Sequence, residues 1–306
     1  MNYILEKLIN LGRKKFLPHV SSAVISNTKS SLQNYDEICF YFDDPSLMHL
    51  GDHLYFIPLI KKLSKVNIKI SIAPTQMMQF AFTAFPIFDP AKKIKRLIVS
   101  RVELYPIIQK IFGRIDYFLY DTMSPAIDSP ISNYILKTFC EYYSLSSIDQ
   151  TIYAKDYLNF EISLKPEFDY LKNKNLIFLN NYVDSGKFRV SKKRTKILLD
   201  HLKIIKKNNF VIHLGSEKDK QKDTRDYTSI IDLDLRGKTS IQDLFSLLSL
   251  DSIYAVYCHD TFIMHVANLF NHPIYVCFKK YFCHNDQKQN AFSSLFVKDK
   301  TNFHYL

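Results

Sequence analysis

A short polar turn between an apolar strand and an apolar helix is the segment of this sequence best suited to bind a phosphate. The run Ile253–Cys258 has the composition of a buried strand, and an apolar helical pattern begins at Ile263. Between them stand His259, Asp260 and Thr261. A helix amino terminus presents unpartnered amide N–H groups and a partial positive charge, which suit the oxygens of a diphosphate. An ordinary N-cap, in which Asp260 or Thr261 accepts from the first-turn amides, is the alternative interpretation.

One histidine lies close enough along the predicted helix to reach the same turn. His265 follows Thr261 by one helical turn and therefore shares its side of the helix. It could help to bind a ligand there. A packed histidine of the core is the alternative, and the more frequent case.

The turn and its helix resemble a motif of glycosyltransferase family nine, which includes the ADP-heptose:lipopolysaccharide heptosyltransferases. Those enzymes carry D-T-G-x-x-H-x-A between a strand and a helix, and this chain has DTFIMHVA over residues 260–267, with Phe262 in place of the motif glycine. Upstream, residues 235–244, LRGKTSIQDL, are similar to the family's L-x-G-K-T-S-L-x-E-L stretch. The two matches occur in the order that the family has.

A third match lies near the start of the chain. Leu50-Gly51-Asp52, followed by Pro58 and Leu63, is similar to the family's G-D-x-x-x-x-x-P-x-x-x-x-L element. The family's aspartate is regarded as the base that deprotonates the acceptor hydroxyl, so the resemblance implies this role for Asp52. An inverting transfer needs one carboxylate on the sugar face opposite the departing nucleotide. An N-cap for the predicted helix that begins at Leu54 is the alternative.

The resemblance also implies positions for the remaining donor contacts. Lys187, with Arg189, corresponds by position to a basic site that contacts the donor phosphates, and fixed cations can neutralise a leaving diphosphate without a metal. Glu217 or Asp219 corresponds to an acidic residue that accepts hydrogen bonds from ribose hydroxyls. Each of these four residues would look the same in an ordinary solvated loop.

Strand-like and helix-like stretches alternate along the chain, which predicts an α/β fold with parallel sheets. In the first half we predict strands at 37–42, 67–72, 96–102 and 116–120, and a helix at 54–63 after a loop through Gly51 and Asp52. In the second half we predict strands at 176–179, 210–214, 253–258 and 274–278, and helices at 192–206, 241–248 and 263–270.

Periodicity is lost between Tyr157 and Lys174, as in an interdomain connection. We therefore expect two domains, over 1–165 and 166–306. The resemblance implies that the first binds the acceptor and the second binds the nucleotide-sugar. The resemblance implies that these are two Rossmann-like domains facing a central cleft, the GT-B arrangement.

The basic balance of the chain predicts an anionic partner. The net charge is +11 and the pI is about 9.2, with lysines spread along the sequence. Residues 1–17 form a short basic amphipathic pattern that could lie on an anionic membrane or pack on the protein itself. No signal peptide or membrane-spanning run is apparent. We expect a cytoplasmic protein, peripheral at the inner membrane, and no nucleic-acid partner, because motifs for that function are missing.

Two functional hypotheses follow. The first is an inverting, metal-independent glycosyltransferase with a nucleotide-sugar donor and a lipid-linked or phosphorylated glycan acceptor, such as lipopolysaccharide. No cofactor and no metal are expected, since no group of side chains has zinc-ligand spacing. The second is a catalytically inactive, glycan-binding or complex-forming subunit of the same fold, suggested by Phe262 at the glycine position.

Overall fold

The computed structural model describes most of the chain. The described residues are 31–42, 50–89, 91–100, 115–119, 131–146, 162–182, 190–223, 227, 229–259, 261–277 and 303–306. The elements below are numbered over these residues.

Four parallel strands form the first sheet. They are β1 (Glu37–Tyr41), β2 (Lys69–Ala73), β3 (Arg96–Ser100) and β4 (Ile115–Leu119), in the order β2-β1-β3-β4. β1 and β3 are buried almost throughout, because helices and loops cover both faces of a parallel sheet. This burial explains why the strands appear in the sequence as short continuous apolar runs.

Six parallel strands form the second sheet. They are β5 (Leu176–Asn180), β6 (Phe210–His213), β7 (Leu233–Asp234), β8 (Ile253–Cys258), β9 (Ile274–Val276) and β10 (Phe303–Tyr305). Their order is β10-β9-β8-β5-β6-β7. Numbered from β5, this is the doubly wound order 3-2-1-4-5-6, in which the chain changes winding direction between β5 and β8.

The described helices connect or flank these strands. They are α1 (Leu50–Tyr55), α2 (Ile57–Leu63), α3 (Ile131–Tyr142), α4 (Lys192–Ile205), α5 (Glu217–Lys222), α6 (Ile241–Leu248) and α7 (Phe262–Leu269). Short 3-10 segments occupy Leu32–Asn34, Gln76–Phe82, Pro166–Asn173 and Lys206–Asn208. Among the described residues no helix is both long and apolar enough to cross a bilayer.

The difference from the predicted elements that bears most on the site lies at Gly51 and Asp52. We predicted a loop there, but both residues belong to helix α1. The single helix predicted over 54–63 is divided at Phe56, because Pro58 lacks an amide hydrogen and its ring excludes the carbonyl of Leu54 from an α-helical hydrogen bond. Helix α3 was not predicted, whereas α6 and β8 have the predicted bounds.

One hydrophobic cluster contains buried side chains from both sheets and from the helices that pack on them. Its contact between the two halves includes an aromatic pair, Phe80 and Phe245, whose ring centroids lie 5.5 Å apart in an edge-on arrangement. Phe80 belongs to the 3-10 segment after β2 and Phe245 to α6. The domain bounds predicted at residues 165 and 166 stay a prediction.

A buried ion pair joins two neighbouring strands of the first sheet. Arg96 Nε donates to Glu37 Oε2 over 2.6 Å, and Arg96 Nη2 donates to the carbonyl oxygen of Asp89. Both charged side chains are buried, with Arg96 fully so, while Lys69 contacts the same carboxylate from solvent at 3.5 Å. Either charge would destabilise the fold if it were buried without the other, so the pair constrains how β1 and β3 associate.

We predict that Arg96→Met destabilises the protein by about 3–5 kcal/mol, because the Glu37 carboxylate would stay buried without its main partner. Lys69→Met, which removes the exposed partner, should cost less than about 1 kcal/mol. The double variant Glu37→Met/Arg96→Met should recover most of the loss. Urea unfolding of all three measures this, and equal losses for Arg96→Met and Lys69→Met would contradict it.

Candidate functional site

The strand order of the second sheet predicts a crevice where its winding direction changes. β5 and β8 are adjacent, but their connections leave toward opposite sides, and ligands of doubly wound sheets bind outside the carboxyl ends of such strands. Asn180 ends β5 and Asn181 follows it, while His259 and Thr261 follow β8. The backbone N–H of His259 donates to the Asn180 carbonyl over 3.2 Å. The predicted phosphate turn therefore lies at this crevice.

Asn180 carries a buried oxygen at this position. Its Nδ2 donates to the carbonyl of Leu214 over 3.0 Å, and the residue is 4% exposed. Within the described part of the chain, its Oδ1 has no hydrogen-bond partner. A buried polar atom without a partner is unfavourable, so a donor on a ligand or a water would stabilise it.

Helix α7 begins at the same crevice without a cap from its own N-cap side chain. Thr261 has the extended backbone of an N-cap residue, at φ −140° and ψ 167°, but its side chain makes no capping hydrogen bond. By contrast, Ser216 and Ser240 form reciprocal capping boxes with Asp219 and Asp243. The structure therefore does not show the N-cap by Thr261 that was the alternative interpretation of the turn. Asp260 lies outside the described residues.

The capping box of α6 gives a physical role to part of the second matched stretch. Ser240 Oγ accepts from the Asp243 amide over 3.1 Å, and Asp243 Oδ2 accepts from the Ser240 amide over 2.9 Å. Lys165 adds an ion pair to Asp243 at 2.9 Å. The T-S-x-x-D spacing thus fixes the start of the helix that precedes β8.

His259 is a structural residue of the crevice. It is buried, its Nδ1 lies 2.9 Å from the Cys277 carbonyl oxygen, and its Nε2 lies 3.4 Å from Thr195 Oγ1. The ring therefore connects the end of β8 to the end of β9 and to the first turn of α4.

The first-half motif and the second-half motif meet in space. A Cβ atom added to Gly51 would lie 3.0 Å from His265 Cδ2, closer than nearly all real contacts. The Tyr55 ring packs edge-on against the His265 ring, with centroids 5.7 Å apart. Helix α1 therefore approaches α7 as closely as it does because residue 51 has no side chain. Asp52 follows Gly51 in α1, and its side chain is outside what the structure describes.

Burial decides the charge of His265. The side chain is 7% exposed, and desolvation lowers its pKa to about 4. The imidazole is accordingly neutral near pH 7, since burial penalises the charged form. His265 is thus a packed residue between α1 and α7, and its role in binding a ligand at the turn stays a prediction.

Phe262, which replaces the motif glycine, points its ring into an aromatic cluster. The ring packs edge-on against Phe245 of α6 at 6.0 Å, and Phe245 also contacts Phe80 and Phe270. Phe262 is partly buried against the main core. Its side chain therefore contributes to the packing between α6, α7 and the first half.

The two acidic candidates in α5 differ in their surroundings. Asp219 is occupied by the capping box with Ser216 and accepts from the Ser216 amide over 2.7 Å. Glu217 is exposed and lies against Gly237, where an added Cβ would overlap it and where φ is +73°. Only glycine combines that backbone with that space. Of the pair, Glu217 has the carboxylate that is better placed to accept from a ligand.

A buried polar network, which the sequence did not reveal, holds the ends of β5 and β6. Tyr227 donates to the Asp223 carboxylate, and Asn181 Nδ2 donates to Tyr227 Oη over 2.5 Å. Asn181 Oδ1 must then accept from His213 Nε2, 3.0 Å away. The Arg236 guanidinium lies over the Tyr227 ring at 5.6 Å. No local pattern predicts this arrangement, because its members come from four separate segments.

Arg236 belongs to the LRGKTS stretch and pairs with Asp234 through two hydrogen bonds of 3.0 and 2.8 Å. Burial acts to raise the pKa of Asp234, but the hydrogen bonds from Arg236 outweigh it and lower that pKa to about 2. The pair is therefore ionised at every physiological pH, and it anchors β7 beside the network.

Some of the predicted donor contacts fall outside the part of the chain that the structure describes. Lys187 and Arg189 lie outside the described residues, as does the amino-terminal segment 1–17. Among the residues that the structure describes, no group of three or more His, Cys, Asp or Glu side chains is arranged to hold a metal ion.

Comparison with solved structures identifies the fold. A glycosyl transferase of family 9 from Veillonella parvula superposes with a TM-score of 0.61 at 14% identity, over 89% of this chain and 87% of that one. E. coli ADP-heptose lipopolysaccharide heptosyltransferase II gives 0.56 at 13% identity, over 88% and 90%. E. coli heptosyltransferase WaaC with ADP gives 0.53 at 9% identity, over 88% and 92%.

The chain shares their fold. The fold class predicted from the sequence, α/β of the GT-B type, is thereby confirmed, and so is the resemblance to family nine at the level of structure. No protein-family model and no curated protein matches the sequence.

We predict that acid weakens the fold through His265. Its folded pKa of about 4 lies below the usual 6.5, so the stabilisation is complete above pH 6.5 and is lost as the pH falls toward 4. When the pH is lowered from about 7.5 to about 5, the free energy of unfolding should fall by about 2 kcal/mol. Denaturant unfolding across this range measures it. His265→Gln should show a correspondingly smaller dependence, and an unchanged dependence would contradict the assignment.

Proposed function

We propose that this protein is an inverting, metal-independent glycosyltransferase that moves heptose or a similar sugar from a nucleotide-sugar onto a lipopolysaccharide or related surface glycan. The observation that carries the proposal is the contact of Gly51 with His265, because it brings the glycine-aspartate element of the first half to the donor-type motif of the second. The shared fold with glycosyltransferases supports the reaction class.

The donor is proposed to bind at the crevice between β5 and β8. The first-turn amides of α7 would hold the diphosphate, assisted by Asp260 and Thr261, with Lys187 and Arg189 adding positive charge. Glu217 would accept hydrogen bonds from the ribose, with Asp219 as the alternative. The E. coli heptosyltransferase structures with ADP and with an ADP-2-deoxy-2-fluoro heptose are of proteins with this fold, which favours a nucleotide-sugar donor.

The acceptor is proposed to bind on the first half, with Asp52 as the base. Asp52 would take the proton of the acceptor hydroxyl while its oxygen attacks the anomeric carbon from the face opposite the nucleotide. The bond between that carbon and the diphosphate oxygen would break, and the amides of α7 with the two basic residues would stabilise the departing charge. Such a reaction needs no cofactor and no metal.

Phe262 does not favour the inactive alternative. Its ring packs on Phe245. Phe262 has a backbone N–H just as the motif glycine does, so the first turn of α7 keeps all its amides. A catalytically inactive, glycan-binding subunit is the second candidate, and turnover distinguishes it from an enzyme. The proposed location is the cytoplasmic side of the inner membrane, where a basic protein meets anionic lipid and a lipid-linked acceptor.

The first test is nucleotide binding. Titration of ADP, UDP, GDP and CMP by calorimetry should identify one nucleotide that binds, and Lys187→Ala should weaken it by about 10-fold or more, because a charge-assisted hydrogen bond to phosphate is lost. Lys65→Ala, an exposed lysine of the first half, is the matched control. Equal affinities for wild type and Lys187→Ala would remove Lys187 from the site, and no binding of any nucleotide would remove the donor assignment.

The second test is turnover by Asp52→Asn. The amide keeps the shape of the carboxylate but cannot accept the proton, so kcat should fall by roughly 10²- to 10⁴-fold while nucleotide affinity changes little. Glu167→Gln, an exposed acid, should leave both unchanged. A mutant that folds, binds donor and transfers sugar at the wild-type rate would show that Asp52 is not the base.

A further inference from the structure

Helix α4 presents an exposed face that combines isoleucines with lysines. We define the α4 surface as Lys193, Lys196, Ile197, Lys203 and Ile204 of the helix, together with Lys207 just after it. The opposite face of the helix is the packed one, where Thr195, Leu198 and Leu202 are buried against the second sheet. The isoleucines of the α4 surface therefore do not pack in the core.

The two isoleucines are unusually exposed for their type. Ile204 is 71% exposed and Ile197 is 45% exposed. They are seven residues apart, which is two helical turns, so they lie in line on one side of α4. Single exposed apolar residues are common. Here two lie in line on one helix face among lysines, as in helices that lie at a membrane interface.

Lysines surround the isoleucines with little acidic compensation. The sequence KKRTKILLDHLKII of α4 contains one acidic residue, Asp200, whose carboxylate pairs with Lys203 at 3.4 Å. Within the described part of the chain, Lys193, Lys196 and Lys207 make no ion pair. The surface therefore keeps a net positive charge that is available to an anionic partner.

An aromatic row extends this surface along the sheet. His201 lies on α4 and its Nδ1 is 2.8 Å from Tyr257 Oη, while its ring lies 5.0 Å from the Tyr275 ring. Tyr257 and Tyr275 stack at 4.7 Å, and Tyr275 stacks on His304 at 4.5 Å. Because α4 is held by ring contacts as well as by its buried face, its outer side chains are presented on a rigid support.

The chemistry favours a lipid surface over a protein. A helix of 14 residues is about 21 Å long and 10 Å wide, and such a face offers only about 200 Å², against about 800 Å² on each partner of a stable protein complex. Insertion of two isoleucines below a headgroup layer, with lysine stems extending along it, needs no such area. Each lysine near an anionic leaflet adds to the affinity independently.

We infer that the α4 surface docks on an anionic phospholipid bilayer, with Ile197 and Ile204 inserted at the acyl boundary and the lysines on the lipid phosphates. The inference rests on the proposed peripheral membrane location, and it identifies the α4 surface as the part of the protein that contacts the membrane. Since Thr195 in the first turn of α4 contacts His259 at the crevice, docking would place the proposed donor site one helix away from the membrane.

Flotation of the full chain with phospholipid vesicles tests the inference. Vesicles of equal parts phosphatidylglycerol and phosphatidylcholine should bind the wild type, and vesicles of phosphatidylcholine alone should bind it far more weakly. Ile197→Ser/Ile204→Ser should lower the partition coefficient by about 10-fold or more. Lys193→Gln/Lys196→Gln/Lys207→Gln should lower it by about 100-fold at low salt, at roughly 5-fold for each lysine, and added salt should reduce that difference.

Matched controls carry the same chemical changes elsewhere. Met77→Ser/Ile87→Ser removes two apolar side chains that are 63% and 50% exposed, and Lys65→Gln/Lys92→Gln/Lys93→Gln removes three exposed lysines of the first half. Both should bind vesicles as the wild type does. Wild-type binding by the α4 variants, equal losses in the control variants, or binding that ignores lipid charge would each overturn the inference.

Calorimetry with nucleotide and transfer to a delipidated glycan distinguish this inference from the proposed function. The α4 variants should keep wild-type nucleotide affinity and transfer to the soluble acceptor. If the wild type binds vesicles but neither binds a nucleotide nor transfers sugar, the proposed function is overturned and this inference is not.

Discussion

The close approach of α1 to α7 is the contact on which the arrangement of the candidate site depends. Gly51 leaves room for the His265 ring, and Tyr55 completes the contact one turn later. The relative position of the two motifs is therefore set by van der Waals contact and burial, and no salt bridge is needed to hold it. A close apolar contact of this kind is steep with distance, so it positions the backbone of Asp52 more sharply than a solvated ion pair would.

The second sheet reaches the same junction by a different means. Its strand ends carry buried polar side chains, and each is held by hydrogen bonds to residues from other segments, as His259 is by Cys277 and Thr195. Asn181 does the same for β5 through Tyr227. Such networks are costly when incomplete, and they consequently favour one conformation of the strand ends over nearby alternatives. The crevice is thus bordered by positions that are fixed before any ligand arrives.

Much of this fold could be predicted from the sequence, because buried parallel strands are short apolar runs and the helices between them keep a clear apolar face. The helix α6 was predicted to the residue, and the capping box of Ser240 and Asp243 fixes its start in the structure. Gly51 was misassigned to a loop because glycine beside aspartate is a common turn signal, and the reason for the glycine is a histidine in the other half of the chain. The pairing of Asn181 with Tyr227 depends wholly on tertiary structure and leaves no local pattern. The side chain of Asp52, and the residues Lys187, Arg189 and Asp260, stay predictions.

The strand order of the second sheet has a consequence for how the protein reaches its native state. β5 lies at the centre of the sheet and pairs with β6, the next strand along the chain, but its other neighbour is β8, which follows much later. Closing that large loop costs chain entropy before the contact returns any stabilisation, so addition of β8 should be a slow step. Until then the edge of β5 that ends at Asn180 would be unpaired and prone to association with other chains. The change in winding direction that predicts the crevice therefore also leaves a strand edge unpaired until late in folding.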